Sequence, residues 1–204
     1  MQWDEFWRIF REQVAGTGWV EWTAIIFGLA EVLLARVNNI LLYPAGIIST
    51  VATIYILLVP HLYADSLLNV YYLVMSIYGW WHWSRGKDAP RVLPITPTTR
   101  KEWGITGAIA VGGFLVGYIV LKEFTNSTVP AADAWVSATA WAGTWLLTRR
   151  KIENWLVLNV SNLFAIPLYF YKDLPMYAVF TAFLFIIAVF GYFDWRKSYK
   201  LQVV

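Results

Sequence analysis

Apolar runs of about twenty residues recur along this chain, separated by short breaks that hold Pro, Asn or charge. A helix that crosses bilayer hydrocarbon needs about 20 such residues. Seven stretches meet that length, at about 17–35, 39–59, 63–83, 104–122, 131–148, 154–172 and 174–195. The first residues read differently. Trp3, Phe6, Trp7 and Phe10 fall at i, i+3, i+4 and i+7, on one helical face, with Asp4, Glu5, Arg8, Arg11 and Glu12 around the rest. This predicts an amphipathic helix over 1–16 that either lies on a membrane surface or caps a bundle. The expected fold class is all-α integral membrane, with seven transmembrane helices.

The pattern also repeats. Span 1 ends in Leu33-Leu34-Ala35-Arg36 and span 5 in Leu146-Leu147-Thr148-Arg149. Span 3 ends in Gly79-Trp80-Trp81-His82-Trp83 and span 7 in Gly191-Tyr192-Phe193-Asp194-Trp195. Asn39 opens span 2 and Asn154 opens span 6, and each of those spans holds a Pro, Pro44 and Pro167. The halves are therefore expected to be three-helix units, 17–84 and 131–196. They are joined by a loop and linker helix over 85–130 and followed by a tail at 197–204. A three-helix unit ends on the opposite side from its start, so the linker helix must cross back. The expectation is a 3+1+3 arrangement of parallel repeats, a transporter architecture.

Composition supports lipid as the solvent. Hydrophobic residues make up 59% of the chain and charged residues 14%, against about 25% charged in soluble domains. Charge gives a direction. Arg36, Arg85, Lys87, Arg91, Arg100, Lys101, Arg149, Arg150, Lys151, Arg196, Lys197 and Lys200 fall on one side of the seven spans, and Arg8, Arg11, Lys122 and Lys172 on the other. The positive-inside rule then places the C-terminus in the cytoplasm and the N-terminus outside. These cations read as topology signals, so no nucleic-acid partner is expected. The start, Met1-Gln2-Trp3-Asp4-Glu5, lacks the basic and apolar regions of a cleavable signal peptide. The sequence leaves a homo-oligomer open.

Polar groups inside a membrane face the bundle or a cavity. In span 6, Trp155, Asn159, Asn162 and Tyr169 share a face, and two amides beside an indole can read a planar polar ligand. In span 3, Asn69, Tyr72 and Ser76 do the same, and a repeat register of 112 sets Thr181 opposite Asn69. In span 5, Ser137, Trp141, Thr144, Trp145 and Thr148 form a mixed stripe, with Trp141 the deeper candidate for a cavity wall. Each face also fits plain interhelical hydrogen bonding. Glu31 lies about 7.5 Å from the end of span 1. It either attracts a cationic solute or pairs with Arg36.

Catalytic motifs do not appear. Cys is absent, which excludes thiolate chemistry and Cys-bound metals, and only His61 and His82 occur. There is no HExxH, no phosphate-binding Gly loop and no Lys in span 7 for a retinal Schiff base. The expectation is no enzyme, no cofactor and no metal. A membrane protein with a structural or signalling role and no solute path is the rival class.

The run Thr148-Arg149-Arg150-Lys151-Ile152-Glu153-Asn154-Trp155-Leu156, with Tyr78-Gly79-Trp80-x-x-Trp83 closing span 3, resembles the PnuC family of bacterial vitamin transporters. The resemblance covers nearly the whole chain. It implies a fold similar to a full-length SWEET-type arrangement, in the bacterial inner membrane. It implies uptake of nicotinamide riboside by facilitated diffusion, with trapping by a cytoplasmic kinase, and thiamine as the alternative cargo. Asn162 matches the family's span-6 amide. Leu158 stands where members often have Trp, and Asn69 where they often have Gln. The expected solute contacts are Trp155, Asn159, Asn162, Asn69, Tyr72, Ser76, Trp141, Thr181, Glu31 and Asn39.

Overall fold

A computed structural model describes residues 3–85 and 94–203. The expectations placed on Lys87, Arg91 and the Trp3 side chain lie outside the described residues. Eight helices form: α1 Trp3–Gly16, α2 Trp19–Arg36, α3 Leu42–Leu58, α4 Tyr63–Ser84, α5 Arg100–Phe124, α6 Pro130–Thr148, α7 Asn154–Tyr171 and α8 Pro175–Val203. Among the described residues there is no strand, only an isolated bridge between Thr96 and Lys151. Two boundaries differ from the apolar pattern. Thr99 and Glu102 form a capping box, which starts α5 at Arg100 rather than 104. The basic residues after Trp195 stay helical, so the tail from 197 continues α8.

Arg100–Phe124 and Pro175–Gln202 are each long and apolar enough to cross a membrane, and α1 and α2 qualify only together, bent by 106°. Across the bundle polar groups turn inward. Ser66, Ser76, Thr139, Thr148, Asn154, Ser161 and Thr181 are buried, whereas Ile26, Val51, Val74, Leu163 and Phe164 are exposed. An apolar exterior around a polar interior is the pattern required in lipid.

Helices α2, α3 and α4 pack in succession, as do α6, α7 and α8; α2 against α8 and α4 against α6 join the two groups. Helix α5 lies against α6 and leaves Val111, Leu115, Val116 and Ile119 exposed. Helix α1 docks at the start of α8. There the Gln13 amide donates to the Asp173 carbonyl (2.9 Å) and accepts from the Met176 N–H (3.2 Å).

The backbone reverses at four residues in the left-handed region, and they pair at an offset of 112. Asn38 (φ 57°) corresponds to Arg150 (φ 54°), and His61 (φ 63°) to Asp173 (φ 54°). Each ends a helix and donates its N–H back into the last turn, as a left-handed cap does: Asn38 to Ala35, Arg150 to Leu147, His61 to Leu58 and Asp173 to Phe170. Asn, Asp and His tolerate this conformation best among residues with a Cβ. Arg150 is the exception, and its guanidinium lies 3.9 Å from the centre of the Trp83 ring. This is the register that the ends of spans 3 and 7 already give, and it corrects the pairing read at the ends of spans 1 and 5 and the openings of spans 2 and 6. Arg36 corresponds to Thr148 rather than Arg149, and Asn39 to Lys151 rather than Asn154. Pro44 and Pro167 hold unrelated positions.

The core is densest at the basic end. The Trp83 indole of α4 donates to the Thr148 carbonyl of α6 (3.1 Å), and the Trp195 indole of α8 donates to the Ala35 and Arg36 carbonyls of α2 (3.0 and 3.2 Å). Each group of helices thus reaches into the other through the same tryptophan. Tyr43 meets Trp83 edge to face at 5.1 Å, as Trp155 meets Trp195 at 5.7 Å. Gly79 and Gly191 admit those rings, since a Cβ at either would overlap Tyr43 or Trp155.

Candidate solute site

Two cavities follow one another along the bundle, beyond this tryptophan cluster. The central one, of about 180 Å³, lies where α2, α3, α4, α6, α7 and α8 meet. Its lining follows the 112-residue register: Val32 with Thr144, Ala35 with Leu147, Thr50 with Asn162, Tyr72 with Leu184 and Ser76 with Ala188. Glu31, Trp155 and Leu158 complete it, at positions equivalent to Gly143, Tyr43 and Gly46. The cavity is therefore lined by matching positions of the two helix groups, yet its walls differ chemically. One side offers Glu31, Thr50, Tyr72 and Ser76, and the other offers Trp155, Leu158, Thr144 and Asn162. Such a site can orient a ligand that is itself unsymmetrical.

Local packing fixes the key groups. Glu31 fits because Gly46 faces it; a Cβ there would stand 2.6 Å from its carboxylate. Gly143 makes the equivalent room for Leu158. The Asn162 amide donates to Asn159 Oδ1 at 3.2 Å, so Asn159 sets the orientation of Asn162 without lining the cavity itself. Trp155 is 1% exposed, and its indole N–H has no hydrogen-bond partner. A buried orphan donor is costly unless something else satisfies it.

The outer cavity, of about 380 Å³, opens at the end away from the basic residues. Asn69, Tyr72, Trp141 and Tyr169 line it, together with Asp65, Asp133 and Lys172. Lys172 Nζ bridges both Asp133 carboxylate oxygens (2.6 and 2.7 Å), and the Ser127 hydroxyl donates to Asp133 (2.6 Å). Tyr72 borders both cavities.

The structure therefore brings together Glu31, Tyr72, Ser76, Trp155 and Asn162 around the central cavity, and Asn69, Tyr72 and Trp141 around the outer one. Thr181 is buried and lines neither. Asn39 is exposed at the α2–α3 turn, where its side chain accepts the Leu41 N–H (3.0 Å). Sequence reasoning missed Thr50 and the Asp133–Lys172 pair. The repeat register, applied to Asn162, points directly at Thr50.

The model of the nicotinamide mononucleotide transporter family matches residues 18–197. The chain belongs to that family. Membership makes it a multi-pass membrane transporter and not an enzyme. It is 24% identical over 207 residues to the nicotinamide riboside transporter PnuC of Escherichia coli (strain K12), covering 88% of this chain and 86% of that protein. The same figures hold for the PnuC of Shigella flexneri. The crystal structure of the vitamin B3 transporter PnuC shares the fold at a TM-score of 0.70 and 22% identity, covering 98% of this chain and 93% of that one.

In this PnuC-family chain the Thr148–Leu156 run mainly serves as a clasp. The Ile152 N–H donates to the Thr96 carbonyl and the Thr96 N–H to the Arg150 carbonyl (3.1 Å each), and Glu153 accepts from the N–H and hydroxyl of Thr98 (2.7 and 2.6 Å). Lys151 pairs with Glu102 at 3.0 Å, and the Asn154 amide donates to the Lys151 carbonyl at 2.6 Å. Trp155 is the residue of this run that reaches the cavity.

Proposed function

We propose that this chain takes up nicotinamide riboside by facilitated diffusion, the solute then being trapped by phosphorylation inside the cell. The observation that carries the reading is a cavity lined by Glu31, Trp155 and Asn162, with Thr50, Tyr72 and Ser76 beside them. A carboxylate and an indole suit a pyridinium ring. The Asn162 amide suits its carboxamide, and Thr50, Ser76 and Tyr72 suit ribose hydroxyls. The named function of the E. coli and S. flexneri relatives agrees with this.

In this reading α2–α8 are seven spans in a 3+1+3 order. The two groups of three are parallel repeats, α5 is the linker, and the fold is SWEET-like. The 112-residue recurrence of turns, tryptophans and cavity lining supports it. The basic end is cytoplasmic and the outer cavity faces outside. The tryptophan cluster then closes the inner mouth, and transport requires the two groups to rock apart there.

Isothermal titration of the purified protein with nicotinamide riboside and with thiamine, followed by uptake into proteoliposomes without an ion gradient, tests the proposal. Saturable binding and uptake of nicotinamide riboside is the expected result. Preference for thiamine would reassign the cargo, and binding of neither would overturn the reading.

A further inference from the structure

The outer cavity has a counterpart at the 112-residue register, a chamber of about 200 Å³ between α2, α3 and α8. The two share a backbone frame and one acid, Glu21 at the position equivalent to Asp133, but differ at other polar positions. Where the outer cavity has Asp65, Tyr169 and Lys172, the other half has Tyr177, Leu57 and Pro60. Packing of the frame therefore does not require these polar groups. Lys172 is already engaged by Asp133. Asp65, on α4 of the other three-helix group, lines the same cavity as both. Its carboxyl has a backbone hydrogen bond but no ion pair with another side chain among the described residues. The cavity thus holds two carboxyls against one ammonium. Its wall includes Trp141, which is 8% exposed and whose indole N–H also lacks a partner. A surplus of one sign in a low-dielectric cleft concentrates solutes of the other sign.

Size points the same way. Pockets that enclose a drug-sized ligand measure about 300–1,000 Å³. The outer cavity reaches that range at about 380 Å³, whereas the central one, at about 180 Å³, must widen to take in the solute.

We propose that the outer cavity is a second binding site for an aromatic cation, held by Asp65 and Trp141 before Tyr72 moves aside to admit it to the central cavity. A phosphate on the same solute reverses its net charge, so the phosphorylated form is turned away at this first site. The inference rests on the proposed cargo class.

Titration of the full-length protein with nicotinamide riboside tests it, using Ala188→Leu to fill the central cavity. This variant should lose uptake yet still bind one solute per chain. Adding Asp65→Asn should weaken that binding about tenfold, the loss expected for about 1.4 kcal/mol. In an otherwise unaltered chain, Asp65→Asn should raise the uptake KM about as much and leave the maximal rate unchanged, a readout that holds even if Ala188→Leu does not fold. A folded Ala188→Leu protein that binds nothing, or an Asp65→Asn protein with unchanged KM, would overturn the second site while wild-type binding leaves the proposed cargo standing. Wild-type protein that binds neither nicotinamide riboside nor thiamine would overturn both.

Discussion

At the scale of single residues, the central cavity depends on groups whose neighbours leave them unoccupied. Glu31 sits against a glycine, and its carboxylate lines the cavity. A hydrogen bond to a charged group contributes about 1.5–3 kcal/mol. Glu31→Gln should therefore raise the KM for nicotinamide riboside by about tenfold or more, measured in proteoliposomes. A neutral analogue of the same shape should be carried equally by both proteins. Trp155→Phe keeps an aromatic face and removes the orphan N–H. Its loss of stability should be only that of a smaller ring packed on Trp195, because the indole N–H has no protein partner to lose, while solute affinity should fall. Unchanged affinity in the folded variant would remove Trp155 from the site. The sequence marked Glu31, Asn162 and Trp155, because polar groups are rare on apolar helices. It also marked Asn39 and Thr181, because rarity does not tell a cavity from a helix cap or a packed interface.

At the scale of elements, the four tight reversals and the two tryptophan bonds hold the helix groups in register. Trp83 and Trp195 each donate to a carbonyl at the end of a helix in the other group. Removing either N–H by Trp→Phe should destabilise the protein by about 1 kcal/mol, read as a lowered unfolding temperature in detergent. Trp195→Ala should cost about 3–5 kcal/mol, because the buried ring leaves a void. Gly191→Ala should also destabilise, since the new methyl meets Trp155. Of these features, the tryptophans and glycines were visible as a repeated motif. Their exchange between groups was not, because a helix end carries no sequence sign of which carbonyl it presents to a distant indole.

At the scale of the whole molecule, the two groups meet tightly at the basic end and part toward the other. There Arg36 pairs with Asp194 at 2.6 Å, tying α2 to α8. The chain has no native cysteine, so Arg36→Cys with Asp194→Cys places the only thiols of the protein at this joint. Bridging them with a short bifunctional maleimide should abolish uptake while leaving solute binding within about twofold, since a shift well under 1.4 kcal/mol is expected where no lining residue changes. Transport that survives full cross-linking would show that this mouth does not open.

The sequence by itself determined the helices, the apolar exterior and the recurring motifs at the helix ends. Apolar length and polar rarity are local properties, and a bilayer leaves a helix as the main way to satisfy the backbone of a spanning segment. The ends of spans 3 and 7 already gave the repeat a register of 112, while likeness of letters paired Arg36 with Arg149 at 113. Only the tertiary structure carried 112 through the other helix ends, by the left-handed turns at Asn38 and Arg150. The same offset gathered Thr50, Asn162 and their neighbours around one cavity and left Asn39 and Thr181 outside it. A cavity is a relation between faces of different helices. Its members become known only when packing fixes the rotation and depth of each helix.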